Sequence, residues 1–329
     1  MPTPIEIPKD KWSGQVREVV IGATAAEGGT RASTLTLGGE SSLPFLHFEG
    51  GAPGAVIPHA PALAIEVRDR RPDDWSPLLN AAWGEAMDDP GDWAHAAEVA
   101  GADLVVLNFS LTLADGKPNT PAAAVEAVRK VLQATGLPVA VFGPGQAEMD
   151  NTLLVPVAEA TKGERLLLGI CEDKNYRTLV AAAMANDHLV SSKTPMDVNL
   201  AKQLIILIHD MGMPLNRIVM DPTTGALGYG VEYGYSVMER LRLAALQGDA
   251  MTQAPMLVTP GEETWKAKEG KVGEGVPEAW GDWETRAINW ETLTSTALLQ
   301  AGADLVVVRH PQSLARLRAF VDALMRAEA

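Results

Sequence analysis

The sequence predicts an α/β fold, a (β/α)8 TIM barrel carrying an N-terminal β-hairpin extension. Short apolar runs alternate with helical stretches eight times over roughly 265 residues, close to the length such a barrel takes. Aromatic residues make up only 5% of a chain that is 47% hydrophobic, so Ala, Val, Leu and Ile must build the core, as in parallel sheets covered by helices. One junction also recurs. Ala100-Gly101-Ala102-Asp103-Leu104-Val105-Val106-Leu107 is nearly repeated as Ala301-Gly302-Ala303-Asp304-Leu305-Val306-Val307-Val308, with related versions at Thr135-Gly136-Leu137-Pro138 and Met211-Gly212-Met213-Pro214. A glycine just past a helix closes its last turn at no steric cost, and the next residues open a strand.

Residues 1–60 fall outside the βα alternation and form the extension; 61–329 form the barrel. Val19-Val20-Ile21-Gly22 and Ser33 through Gly39 read as a hairpin that plugs the barrel bottom or packs beside it. The barrel strands are expected at Leu63–Val67, Leu104–Phe109, Val139–Phe142, Leu166–Ile170, His188–Ser191, Ile218–Met220, Met256–Thr259 and Leu305–Val308. Helices are expected at Trp93–Ala100 and Ala122–Ala134, then through Leu200, Leu204, Leu207 and Met211 after the N-cap Asp197. Further ones follow Glu232 (Val237, Leu241, Ala244) and Pro311 (Leu314, Leu317, Val321, Leu324). Gly261–Asp282 interrupts the pattern as a long, glycine-bearing loop of the kind that is often functional. An open doubly wound sheet is disfavoured, because no glycine follows Ile65-Glu66-Val67-Arg68-Asp69.

Composition narrows the function classes. A net charge of -15 repels phosphate backbones and anionic lipid, so neither nucleic acid nor membrane is an expected partner. The single Cys171 permits no internal disulfide, which suits a reducing cytoplasm, and cannot hold an iron–sulfur cluster. No apolar run reaches the ~20 residues of a membrane span. Met1-Pro2-Thr3-Pro4-Ile5 lacks the basic and apolar regions of a signal peptide.

Ligands of such barrels sit where the strands end. Asp221-Pro222-Thr223-Thr224-Gly225-Ala226-Leu227-Gly228-Tyr229-Gly230 is the most informative segment there. Three glycines exceed the needs of a simple turn and let backbone N–H groups approach a large ligand. Candidate contacts are Asn199, Asp221, Thr223, Thr224, Gly225, Leu227, Gly228, Tyr229 and Gly230. Asp197 and His310 are expected to cap helices; Asn199 is balanced between the helix start and the mouth. No residue is assigned a catalytic or metal-binding role: the six histidines are scattered, and P-loop, dinucleotide and nucleophile-elbow patterns are missing. Nor does a lysine at a strand end stand among apolar residues as a Schiff-base enzyme needs. A mouth of Gly, Thr, Asn and Asp suits a wide ligand held by many weak polar contacts.

These residues resemble a family. Glu27-Gly28-Gly29-Thr30-Arg31, Leu43-Pro44-Phe45 and His47-Phe48-Glu49-Gly50 are similar to the opening of the small subunit of the corrinoid iron–sulfur protein, also called the delta subunit of the CO dehydrogenase/acetyl-CoA synthase complex. The likeness runs on through Pro195-Met196-Asp197-Val198-Asn199, Asp221-Pro222 with Gly225 to Gly230, Ala244 with Leu246-Gln247-Gly248-Asp249, and Arg309-His310-Pro311. It covers essentially the whole chain in order. The resemblance implies a heterodimer with a large subunit that carries the iron–sulfur cluster and a corrinoid domain, a cobamide at their interface, and methyl transfer from methyltetrahydrofolate, by way of a methyltransferase, to acetyl-CoA synthase. The Asp-x-His-x-x-Gly corrinoid motif is missing, so no histidine here is expected to ligate cobalt. The alternative is a methyltetrahydrofolate-binding barrel methyltransferase, for which Asp69, Asp197, Asn199 and Asp221 offer a constellation.

Overall fold

A computed structural model describes residues 11–43 and 57–326. Pro44, Phe45 and His47 to Gly50 of the family-like opening lie outside the described residues.

Two short strands, β1 (Val19–Ile21) and β2 (Leu35–Leu37), pair antiparallel and form the expected hairpin. Eight parallel strands come next: β3 (Ala62–Arg68), β4 (Leu104–Asn108), β5 (Val139–Phe142), β6 (Leu167–Cys171), β7 (Leu189–Lys193), β8 (Ile218–Asp221), β9 (Leu257–Val258) and β10 (Leu305–Val308). They hydrogen-bond in the order β8-β7-β6-β5-β4-β3-β10-β9. A parallel bridge between Met220 and Met256 joins the two ends, with Met220 N–H donating to the Pro255 carbonyl at 2.8 Å. The sheet therefore closes on itself, and each strand matches a run read from the sequence.

Helices between the strands begin where side chains satisfy their first N–H groups. Asp89 caps Pro90–Val99, Thr120 caps Pro121–Ala134, Asp197 caps Val198–Asp210 and His310 caps Pro311–Met325, three of these with proline in the first turn. Outward strand residues and inward helix faces make one large apolar layer that includes Ile65, Val105, Leu153, Leu204 and Leu317. The repeated junction has a shared purpose. Asp103 accepts from Leu63 N–H at 2.8 Å and Asp304 from Met256 N–H at 2.6 Å, so each aspartate ties its own strand to the start of its neighbour. Gly101 and Gly302 of this junction take φ of 94° and 104°, as helix stops require. Gly136 does not: a Cβ there would lie 2.7 Å from the Ala32 methyl, so that position serves close approach to the hairpin.

The hairpin plugs the barrel at the N-terminal strand ends. Val19, Ile21 and Leu37 are buried among the lowest inward side chains, Ala62, Leu104, Leu167 and Leu305. Buried Arg31 locks it by donating to Glu164 and to the carbonyls of Leu132, Thr135 and Leu137. Buried Arg242 binds Glu40 at 3.1 Å and Asp304 at 2.8 Å, and so joins the loop after β2 to the barrel. Gly261–Asp282, expected as a long loop, instead holds two short helices, Pro260–Thr264 and Lys268–Lys271, and a 3-10 turn at Glu278–Trp280. Arg286 pins them to the following helix, Trp283–Gln300, by donating to the carbonyls of Glu269, Val272 and Gly281. No described helix is long and apolar enough to cross a membrane.

Candidate functional site

Strand pleating sends alternate side chains into the barrel. Below the mouth these are the apolar Ala64, Val106, Ala140, Leu189, Val219, Leu257 and Val307, with the buried hydroxyl of Ser191 among them. At the mouth the pattern changes abruptly. The last inward positions are Glu66 and Arg68 on β3, Asn108 on β4, Phe142 on β5, Lys193 on β7, Asp221 on β8, Thr259 just past β9 and Arg309 just past β10. With Glu262 from the next helix they surround a small cavity floored by Val106 and Val307.

Half of this ring is closed by its own pairing. Arg309 donates to both oxygens of Glu66, Nε to Oε2 at 2.6 Å and Nη2 to Oε1 at 3.0 Å. Its guanidinium lies 4.5 Å from the Trp75 ring centre, while its carbonyl accepts from Trp83 Nε1 at 2.8 Å. Arg68 and Asn108 add further donors to Glu66 Oε1 at 3.2 and 3.3 Å. Burial opposes the Glu66 charge, but Arg309 and Arg68 outweigh it and hold the carboxyl below its usual range. Glu262 behaves alike: burial raises it, yet Lys193, Lys266 and Arg309 bring it down to about 2.

The other half is paired more loosely. Lys193 Nζ stands 3.6 Å from Asp221 Oδ2, beyond direct hydrogen-bond length, while Asp221 Oδ1 accepts from Thr223 N–H at 2.9 Å. The Asp221 charge keeps Lys193 an ammonium, whereas burial pushes Asp221 itself upward. The hydroxyl of buried Thr194 has no partner among the described residues. A groove runs outward from Lys193 and Thr194 past Pro195, Leu200, Leu204 and Leu207, with Glu172 and Asp173 on its far side. Among the described residues, no group of three His, Cys, Asp or Glu could hold a metal ion.

The structure separates the sequence candidates. Asp221 is in the ring. Thr224 is buried and accepts from Thr259 N–H at 2.8 Å, so it braces the mouth from behind. Thr223 donates to the Thr194 carbonyl at 2.6 Å. Asn199 is exposed on the first turn of its helix, with its N–H given to Asp197 at 2.8 Å. The 225–230 segment is a tight reversal, with Ala226 bridged to Tyr229 and Gly230. A Cβ on Gly225 would meet the Gly230 carbonyl at 2.5 Å, and Gly228 and Gly230 take φ of 76° and 95°. The turn alone therefore requires all three glycines, which corrects the expectation that they exceed its needs. Leu227 N–H donates to Thr294 and its carbonyl accepts from Trp290 Nε1, fastening the loop to the Trp283–Gln300 helix. Tyr229 stands exposed on the rim.

Loop composition at the strand ends does not single out Glu66, Asn108, Lys193, Thr259, Glu262 or Arg309, and the sequence candidates omit all six. The available signal was parity: a polar residue two places beyond a small or apolar inward one, at the end of a strand. Two other expectations hold. His310 caps its helix by accepting from Gln312 N–H at 3.1 Å, and burial lowers its pKa to about 4. Asp197 caps as expected. Of the four residues offered for a pterin constellation, Asp69 is occupied by Ser110 N–H and Asn119, leaving only Asp221 in the ring.

The model of the family described as CO dehydrogenase/acetyl-CoA synthase delta subunit matches residues 18–317. The delta subunit of the acetyl-CoA decarbonylase/synthase complex of Archaeoglobus fulgidus is 39% identical over 327 residues, covering 96% of this chain and 70% of that protein. Its counterpart from Methanosarcina mazei is 38% identical, covering 95% and 72%. Among solved structures, dihydropteroate synthase from Xanthomonas albilineans with 4-aminobenzoic acid superposes with a TM-score of 0.55 over 82% of this chain and 94% of that one, at 14% identity. The Thermus thermophilus enzyme gives 0.55 over 80% and 94%, also at 14%. These likenesses agree with a TIM barrel. The family match and the two relatives together place the chain in the CO dehydrogenase/acetyl-CoA synthase delta subunit family.

Proposed function

We propose that this delta subunit covers a cobamide held mainly by a large corrinoid/iron–sulfur subunit, with its barrel mouth against the corrin face. The observation that carries the reading is the ring: polar and balanced in charge, above an interior that is apolar apart from Ser191. Its residues fit such a group. A corrin edge bears many amide arms, and the mouth offers a donor at Lys193 and an acceptor at Asp221. Asn199, Thr223, Leu227, Gly228, Tyr229 and Gly230 lie along the adjoining loops and would supply rim contacts, with Thr224 and Gly225 shaping them. A bound cobamide supplies a cobalt centre that carries a methyl group. This chain's part is to exclude water from that face and to release it, which calls for a wet, moderate contact rather than a closed pocket.

The heterodimer would work in the cytoplasm between a methyltetrahydrofolate methyltransferase and acetyl-CoA synthase. The test is spectroscopic. Adding this chain to the corrinoid-loaded large subunit should shift the visible spectrum and slow access of cyanide to cobalt. An unchanged spectrum and unchanged access would overturn the proposal.

One observation favours a second reading, a methyltetrahydrofolate-binding methyltransferase: Asn108, Lys193 and Asp221 converge on one small cavity. Tight binding of methyltetrahydrofolate to the chain without any partner would select it.

A further inference from the structure

Thr223 holds a backbone conformation that its own side chain disfavours. Its φ is 64°, and among the described residues it is the one β-branched residue in the left-handed region. A branched Cβ crowds the backbone there, so glycine or asparagine is the usual occupant of such a turn. The segment is rich in glycine, with Gly225, Gly228 and Gly230 close behind, yet threonine stands at this position. A strained residue persists only where its surroundings over-determine it, and such residues gather at functional sites. The work of its hydroxyl therefore decides why threonine is retained.

Lys193 and Asp221 are the last register partners of β7 and β8. Past them the two strand ends are joined by a circuit of three hydrogen bonds. Thr194 N–H donates to the Asp221 carbonyl at 3.1 Å, and the Thr223 hydroxyl donates to the Thr194 carbonyl at 2.6 Å. Thr223 N–H completes the circuit by donating to Asp221 Oδ1 at 2.9 Å. Thr223 thus supplies two of the three bonds. One fixes the Asp221 carboxylate, and the other fixes the backbone directly after Lys193. The angle φ sets the direction of a side chain relative to its own N–H. Turning Thr223 into the ordinary negative-φ region would carry its hydroxyl off the Thr194 carbonyl, and only the left-handed turn serves both acceptors. Asp221 Oδ2 and Lys193 Nζ, 3.6 Å apart, are too distant to lock each other by a direct hydrogen bond.

We infer that Thr223 is a positioning residue, held in a strained conformation so that its N–H and hydroxyl clamp the Lys193–Asp221 pair across the ends of β7 and β8. Its bearing on function rests on the proposed cobamide reading, in which a rigid mouth excludes water. The clamp itself does not rest on that reading.

The full chain is acetylated with limiting acetic anhydride, and peptide mass spectrometry reads the rate at Lys193 against the exposed lysines. Lys193 is 26% exposed and lines the adjoining groove, so the reagent reaches it. Thr223→Gly keeps the N–H, relieves the strain and removes the hydroxyl. Relief and lost bond offset each other, so the unfolding midpoint should stay within about 2 °C of the parent. Lys193 should nevertheless react at least threefold faster. Thr223→Val loses the hydroxyl and keeps the strain: Lys193 should react as fast as in the glycine variant, while the midpoint falls by about 3 °C or more. Thr223→Ser should restore the parental rate. Parental rates in both the glycine and valine variants, or a rate that rises only where the midpoint falls, would overturn the clamp. So would a serine variant that fails to restore the rate. In the heterodimer with the corrinoid-loaded large subunit, Thr223→Gly should speed cyanide access to cobalt at least twofold. A faster Lys193 with unchanged access upholds the clamp and removes its link to the cobamide cover.

Discussion

Removing Glu66 should unfold the barrel more readily than removing Glu66 and Arg309 together. In the native state Arg309 is buried, with Glu66 on two of its nitrogens at 2.6 and 3.0 Å and the Trp75 ring below it. Glu66→Leu leaves that guanidinium without its bidentate partner, and breaking such a pair costs about 3–5 kcal/mol. Glu262 and Glu291 also stabilise the Arg309 charge, which places the expected loss near the lower end. Glu66→Leu with Arg309→Leu removes both charges from the interior, and such exchanges range from neutral to stabilising by about 1–4 kcal/mol. Equilibrium urea unfolding followed by circular dichroism gives both numbers, provided the slopes agree between variants. The coupling should exceed about 2 kcal/mol. A single variant within about 1 kcal/mol of the parent would refute the buried-charge reasoning, and a double variant as damaged as the single would refute the view that the ring serves something other than stability.

Three further outcomes rest on the fold. The unfolded chain binds a proton at His310 near pH 6.5, whereas the buried native imidazole resists protonation down to about 4, so stability is full above 6.5 and falls as pH drops between these values, by up to roughly 3 kcal/mol; His310→Asn should keep the helix cap and flatten that slope in urea titrations at stepped pH. Arg31→Met should cost about 3–5 kcal/mol by stranding buried Glu164 and several carbonyls, and trypsin should then cut within residues 11–43 well before the barrel. Gly225→Ala should destabilise by about 1–3 kcal/mol because its methyl meets the Gly230 carbonyl, a loss that thermal melting detects and that an unchanged midpoint would contradict.

Most of the barrel was legible in the sequence because its signals are local. A buried parallel strand announces itself as a β-branched run, and the Gly-Ala-Asp junction marks both a helix end and the tie to the next strand. The hairpin was legible as a hairpin. Its position as a plug was not, since that depends on Arg31 and Arg242 reaching residues more than 100 places away. The mouth was only half legible. Glycine-rich loop composition drew attention to 225–230, where the glycines turn out to serve the turn. The ring itself hides in plain strands: Glu66, Asn108, Lys193 and Arg309 look like interruptions of apolar runs until the inward parity of each strand is fixed, and parity is set by the closed sheet rather than by any short segment.

A cluster of buried acids and bases in a barrel mouth ordinarily suggests proton transfer, so each member must be asked whether it can move a proton near neutral pH. Glu66 is held ionised by Arg309 and Arg68, and Glu262 is held down to about 2. Lys193 is held as an ammonium by Asp221. His310 does have a pKa of about 4, but its Nδ1 accepts from Gln312 N–H and its ring stacks on Trp265 at 5.8 Å, so it is committed to the helix start. Only Asp221 is pushed toward the neutral range, and Lys193 opposes that rise. The ring is thus a set of fixed charges and dipoles rather than an acid–base relay. Affinity of the chain for cobinamide should accordingly stay within about twofold between pH 6.5 and 8.5. A bell-shaped dependence across that span would mean that a group in the mouth exchanges a proton as it works, and recognition by fixed charges would then be the wrong account of the site.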